Sequence, residues 1–121
     1  MLIDVGTGKG VTNVPYAKEY RSVMSRLSKA EITAMKDELN RKIDAGDIHT
    51  AGWMPGSDWR GTPFQPLYEK GAAAHYTVAA RMFGLLVWEV FMERPERWGS
   101  GRFDKDGKDI GSRTYFLLSG P

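Results

Sequence analysis

The sequence predicts a single α+β domain, mainly helical, built on a central apolar helix with a small C-terminal antiparallel hairpin. Three observations predict it. Ser28-Lys29-Ala30-Glu31 is a capping box ahead of an apolar stripe. The most apolar run of the chain is Met82–Met92, interrupted by Gly84 and Glu89. Asp106-Gly107, between two strand-like segments, is a hairpin turn signal. A length of 121 residues suits one domain and is short of two independent cores.

Residues 1–12 turn Gly-rich after Leu2-Ile3-Asp4-Val5 and are expected to form a loose arm outside a domain spanning residues 13–121. Gly6-Thr7-Gly8-Lys9-Gly10 invites a phosphate-loop reading but fails it. A Walker loop needs glycine where Ile3 stands and Ser or Thr where Gly10 stands.

The first helix is expected from Val14 or Pro15 to Leu27, with Tyr16, Tyr20, Val23, Met24 and Leu27 on one face. The second follows Ser28, with Leu27 and Ile32 as hydrophobic staple. Its stripe is Ile32, Met35, Leu39 and Ile43, and Gly46 is its natural stop. Asp37–Arg41 and Glu38–Lys42 stand at the spacing of favourable ion pairs. Residues 50–66 hold too many Gly and Pro for a long regular element, yet carry Trp53, Met54, Trp59 and Phe64. A loop with that apolar load is packed down or functional.

The third helix is expected to start between Tyr68 and Ala72 and to end at Arg94-Pro95. Phe83, Leu86, Val87, Val90 and Phe91 form one broad apolar face, and Leu85, Trp88 and Met92 a second on the other side. A helix apolar all round is buried centrally or covered by a partner. Pro95–Trp98 reads as a short turn, residues 101–110 as the hairpin and Thr114–Leu118 as a strand. The expected core is Tyr20, Val23, Leu27, Ile32, Met35, Leu39, Phe83, Leu86, Val87, Val90 and Phe91.

Charge narrows the partners. Lys plus Arg is 17 against 15 Asp plus Glu, and residues 1–49 carry 8 basic and 7 acidic groups, so no polybasic tract marks a nucleic-acid groove. With 0 cysteines there is no disulfide and no thiolate metal site. Met1-Leu2-Ile3-Asp4-Val5 lacks the basic lead and apolar length of a signal peptide, and a cytoplasmic protein is the expectation. The apolar run is too short for the roughly 20 residues of a membrane span.

Trp53-Met54-Pro55-Gly56-Ser57-Asp58-Trp59, Phe83-Gly84-Leu85, Arg94-Pro95-Glu96-Arg97-Trp98 and Thr114-Tyr115-Phe116 together resemble small, uncharacterised proteins encoded on mobile gene cassettes of bacterial integrons. The resemblance spans roughly residues 30–118. It implies a bacterial, accessory role and brings no catalytic or binding residue with it.

Constellations that could carry chemistry have simpler readings. His49 and His75 lie on different elements, and nothing in the spacing to Asp47, Asp58 or Glu69 demands a metal. Ser57, Asp58 and His75 have the residue types of a triad without its nucleophile elbow. Glu89 and Glu93, four apart, share a sector of the third helix with His75, but a salt bridge from Glu89 to Arg81 or another cation is the plainer role. Asp104, Asp106, Gly107 and Asp109 miss the spacing of a calcium loop. Aromatics interleaved with Arg60, Arg97, Arg102 and Arg113 could stack single strands, although a domain this small needs them as core. No cofactor, no metal and no catalytic set is expected.

The favoured function is binding or interaction, with self-association through the second face of the third helix. Candidate interface or pocket residues are Trp53, Trp59, Arg81, Leu85, Trp88, Glu89 and Met92. The homodimer expectation rests on Leu85, Trp88 and Met92, with Arg81 and Glu89 free to pair across a two-fold axis. One alternative is a nucleic-acid-binding winged-helix-like module with the hairpin as wing. The other is a small ligand-binding protein or enzyme with a pocket under the Trp53–Phe64 loop.

Overall fold

A computed structural model of the chain describes residues 1–4, 6–46, 48–50, 59–105 and 108–119. The elements run β1 (Leu2–Asp4), β2 (Gly10–Val11), α1 (Ala17–Met24), α2 (Lys29–Ile43), β3 (Ile48–Thr50), a π-helical turn (Leu67–Gly71), α3 (Tyr76–Glu93), β4 (Arg97–Lys105) and β5 (Lys108–Ser119). The class is α+β and mainly helical, as the sequence predicts. The strands form one sheet in the order β2-β1-β4-β5-β3.

The N-terminal segment corrects the expectation of an outlying arm. Leu2 is fully buried, and β1 lies parallel to β4, with Leu2 opposite Trp98 and Asp4 opposite Ser100. Gly8 takes a positive φ of 70° and closes the turn that folds β2 back antiparallel on β1. A glycine meets that backbone geometry without steric cost. The same Gly-rich composition that reads as looseness is what a tight turn requires.

Helix α1 is shorter than predicted at both ends. Tyr16 sits in the left-handed region at φ 52°, so the helix begins only at Ala17. At the other end, Arg26 and Leu27 amides bond three residues back, to Val23 and Met24 carbonyls, and wind the chain into a turn. Helix α2 follows the predicted capping box. The Ser28 hydroxyl accepts from the Glu31 amide at 3.1 Å, and the Ser28 amide donates to the Glu31 carboxylate at 2.9 Å. Arg41 pairs with Glu38, three residues back, rather than with Asp37.

The predicted third helix is two elements. Pro66 opens the π turn, whose Ala72 amide reaches back to the Leu67 carbonyl at 2.9 Å. Ala73 and Ala74 then both take positive φ, 50° and 62°, and no α-helix continues through such residues. Helix α3 restarts at Tyr76 and ends where Arg94 turns extended ahead of Pro95, as the sequence predicts. Trp98, read as part of a turn, belongs to β4. Strands β4 and β5 make a longer ribbon than expected, and the Asp106-Gly107 turn lies outside the described residues.

Helix α3 is the axis of the core. Phe83 meets Trp59 and Phe64 edge-on, with ring centroids 6.1 and 5.0 Å apart. One end of the helix is thereby fixed to the segment before the π turn. Phe91 stacks on Tyr115 at 4.1 Å and meets Trp98 edge-on at 5.0 Å, which fixes the other end to the sheet. Every predicted core residue is buried except Ile32, which is half-buried against the cluster.

Replacement of Ser28 by Ala removes a cap and lowers unfolding stability by about 1 kcal/mol; urea denaturation measures it. Two glycines should behave oppositely in the same assay. A Cβ at Gly99 would lie 2.6 Å from the Phe116 ring, and Gly99→Ala is expected to cost about 1–3 kcal/mol through overpacking. A Cβ at Gly84, inside α3, meets open space, and Gly84→Ala should add about 0.5–1 kcal/mol.

Candidate binding groove between the first and third helices

The structure distributes the predicted site residues instead of gathering them. Trp53 lies outside the described residues. Trp59 is core, 2% exposed, stacked on Tyr68 at 5.8 Å, and its indole N–H has no acceptor among the described residues. Leu85 and Trp88 are buried within the single chain, at 9% and 7% exposure, and Met92 is half-buried.

That burial removes the ground for an exposed dimer stripe. The Trp88 indole donates to the Asn13 carbonyl at 3.1 Å, and Val11 and Val14 pack against the core. The Asn13 carbonyl, in the segment after β2, thus meets Trp88 on the face that the sequence offers to a second copy. The winged-helix alternative loses its reader as well. A recognition helix must present polar groups to a groove, whereas the side chains of α3 from Met82 to Phe91 are mostly buried.

Glu89 and Arg81 do not pair with each other. Lys36 of α2 bridges Glu89 at 2.7 Å and Glu93 at 2.9 Å, and the Tyr20 hydroxyl donates to Glu89 at 3.4 Å. This cluster ties α1 and α2 to α3. Burial, followed by the Glu89 carboxylate beside it, pushes the Tyr20 phenol well above the usual tyrosine range. Burial alone would lower Lys36, but its hydrogen bonds to Glu89 and Glu93 prevail and the net shift is upward.

Arg81 forms an ion pair with Glu19 of α1, between two exposed side chains. Glu19 in turn lines a groove that the sequence does not reveal. The groove runs between α1 and the start of α3 and has a volume of about 760 Å³. Val23, Ala72 and Val78 form its floor; Lys18, Arg26 and His75 stand at its rim.

Small residues make this space. The chain crosses from the π turn to α3 on Ala72, Ala73 and Ala74, whose methyls leave the gap unfilled. Gly71 lets the π turn approach α1 closely, since a Cβ there would lie 3.0 Å from Val23 Cγ1. Arg26 locks the approach by donating to the Gly71 carbonyl at 2.6 Å.

The backbone around the groove is strained. Among the described residues, Tyr16, Ala73 and Ala74 are the non-glycine residues with positive φ. Tyr16 and Ala73 line the groove, and Ala74 adjoins it. Each such conformation costs on the order of 1–3 kcal/mol, and strain of this kind concentrates at functional sites. Tyr16 is also 72% exposed, an aromatic ring held in water at the groove mouth. His75 begins α3 with its side chain making no cap.

Among the described residues, no three His, Asp or Glu side chains come together as metal ligands. No protein-family model, no curated protein and no solved structure matches the chain.

The Tyr20–Glu89–Lys36 cluster sets an alkaline limit on stability. Both Tyr20 and Lys36 hold their protons more tightly folded than unfolded. Above the ordinary values of about 10, the unfolded chain therefore releases protons that the folded chain keeps, and stability falls with rising pH. Urea midpoints measured across the alkaline range should decline in wild type and decline less steeply in Tyr20→Phe. Parallel slopes would show that Tyr20 does not contribute.

Proposed function

We propose that this protein acts by binding, and that its recognition site is the groove between α1 and the start of α3. The observation that carries the reading is the coincidence of an apolar floor, a cationic rim and strained backbone in one place. Val23, Ala72 and Val78 offer a hydrocarbon surface, and Lys18 and Arg26 offer positive charge beside it. The volume lies within the roughly 300–1,000 Å³ of known ligand sites. Such a surface fits a molecule with an apolar body and an anionic group.

An accessory role in a bacterium, implied by the resemblance to cassette-encoded proteins, belongs to the same proposal. So does a cytoplasmic setting, supported by the finding that no helix among the described residues is long and apolar enough to cross a membrane. The sequence points to Trp53, Trp59, Arg81, Leu85, Trp88, Glu89 and Met92 as interface or pocket residues, with self-association through the face of Leu85, Trp88 and Met92. The proposal moves the binding surface to α1, because those last three side chains serve the core.

Titration with 8-anilinonaphthalene-1-sulfonate, an aromatic anion, tests the groove while amide resonances are followed. Shifts should centre on Lys18, Ser22, Ala73 and Val78. Ser22→Trp, on an exposed position of α1, should fill the groove and abolish them with the fold intact. Shifts centred elsewhere, or unaffected by Ser22→Trp, would refute the site.

A further inference from the structure

Charge and spacing along α1 specify the occupant further. From Tyr16 to Lys29 the chain carries the cations Lys18, Arg21, Arg26 and Lys29 against one carboxylate, Glu19. Arg81 already pairs with that carboxylate. The chain as a whole has a net charge of only +2, so this stretch is locally basic on a nearly neutral chain, and Lys18 and Arg26 from it line the groove. Its cations are not massed at one point. Lys18 lies in the first turn of α1 and Arg26 in the turn that follows the helix, so the two flank Val23 along the chain.

Between those cations lies the apolar floor of Val23, Ala72 and Val78. A small amphiphile has one head group and satisfies one end. A nucleic acid carries a charge at every phosphodiester link, a denser charge than two cations beside an apolar floor would match. A peptide helix suits both the cations and the floor: acidic residues seven or eight apart fall about 10–12 Å apart on one face, with apolar residues between them.

Resting on the groove reading, we propose that the occupant is an acidic amphipathic helix of a partner protein. Its apolar side lies on Val23, Ala72 and Val78, and its two carboxylates pair with Lys18 and Arg26. Tyr16, exposed at the mouth, closes over the apolar side. The ion pairs sit at the rim, so they set selectivity and salt dependence while the floor supplies burial.

The test is displacement of 8-anilinonaphthalene-1-sulfonate by a helix-forming peptide of about 16 residues, long enough to be partly helical alone. It carries Glu at positions seven apart, flanking Leu and Ala. Its Gln and Lys counterparts are the controls. The acidic peptide should displace the dye and the Lys peptide should not. Lys18→Glu and Arg26→Glu should each weaken the peptide by about fivefold, the scale of an exposed charge pair. Lys18 is exposed, so its variant remains informative even where loss of the Arg26–Gly71 bond impairs folding. Binding should also weaken as salt rises.

Dye bound in the groove but displaced equally by all three peptides, or by none, would overturn the peptide proposal and leave the groove reading standing. No dye binding and no peptide binding would overturn both. Equal displacement by a random-sequence oligonucleotide or by anionic lipid vesicles would show an unselective basic surface and overturn the proposal. Sedimentation at the same concentrations covers the remaining occupant: a dimer dissociated by Ser22→Trp would put a second copy in the groove instead.

Discussion

Helix α3 is apolar around its circumference, and the rest of the molecule is arranged to keep it from water. Its buried residues include Phe83, Leu85, Val87, Trp88 and Phe91. At 100° per residue these point in widely different directions. Each is worth about 1.5–3 kcal/mol when removed from water. No single neighbour can reach all of them. Helices α1 and α2 take one side through Tyr20, Val23, Met35 and Leu39. The Trp59–Phe64 segment takes Phe83, the sheet takes Phe91, and the segment at Asn13 takes Trp88.

Polar groups fix the angles at which those elements arrive. Lys36 reaches from α2 to Glu89 and Glu93, and Tyr20 reaches from α1 to the same Glu89. At the far end, Arg94 donates to Asn40 of α2, pairs with Asp44 at that helix's C-cap, and pairs with Glu96 at the entry to β4. The Trp98 indole donates to that same Glu96 at 3.0 Å. Hydrogen bonds to charged groups contribute about 1.5–3 kcal/mol when partly buried. The guanidinium, held in place by three partners, thus links the end of α2, the end of α3 and the start of the sheet. Burial opposes its charge, but Glu96 and Asp44 outweigh that and raise its pKa.

Local chemistry was legible in the sequence; long-range pairing was not. Ser28 and Glu31 interact within one turn, so their box is readable from spacing alone. The apolar circumference of α3 is likewise periodic, and it identified the central helix. What it could not show is which segment covers Trp88. The sequence leaves two covers open, a second copy and the Trp-rich loop, whereas the Trp88 indole bonds to the chain's own Asn13, 75 positions away. Leu2-Ile3-Asp4 carried the same ambiguity, since three apolar or acidic residues beside glycines look loose until β4 pairs with them. The groove left no periodic trace at all. It arises from the backbone turning left-handed at Ala73 and Ala74, and alanine is an unlikely marker for that conformation. Lys18 and Arg26 carry no sequence signal of a site, because Ala72 and Val78 of the floor they flank come from a segment some fifty residues further along the chain.

The groove and the core share one structural origin. Had α3 extended back without interruption through Ala72–Ala74, the residues that now form the π turn would continue along its axis. They could not then bend round to place Gly71 against Val23. The break lets the π turn dock on α1, with Leu67, Gly71 and Ala72 buried there, and so helps close the core. It also leaves a gap on the outer side of the same contact, floored by Val23, Ala72 and Val78 between α1 and α3. A folding solution alone would fill such a gap with larger side chains, since three alanines forgo the burial that Leu or Met would provide. It would also place glycine at Ala73 and Ala74, where positive φ then costs little. The chain does neither. Small residues hold the gap open, and the packing around the turn holds Ala73 and Ala74 at positive φ against the cost of their Cβ atoms. A surface preorganised in this way spends less ordering entropy when a ligand arrives, and that is the physical reason to place recognition here and not on the covered face of α3.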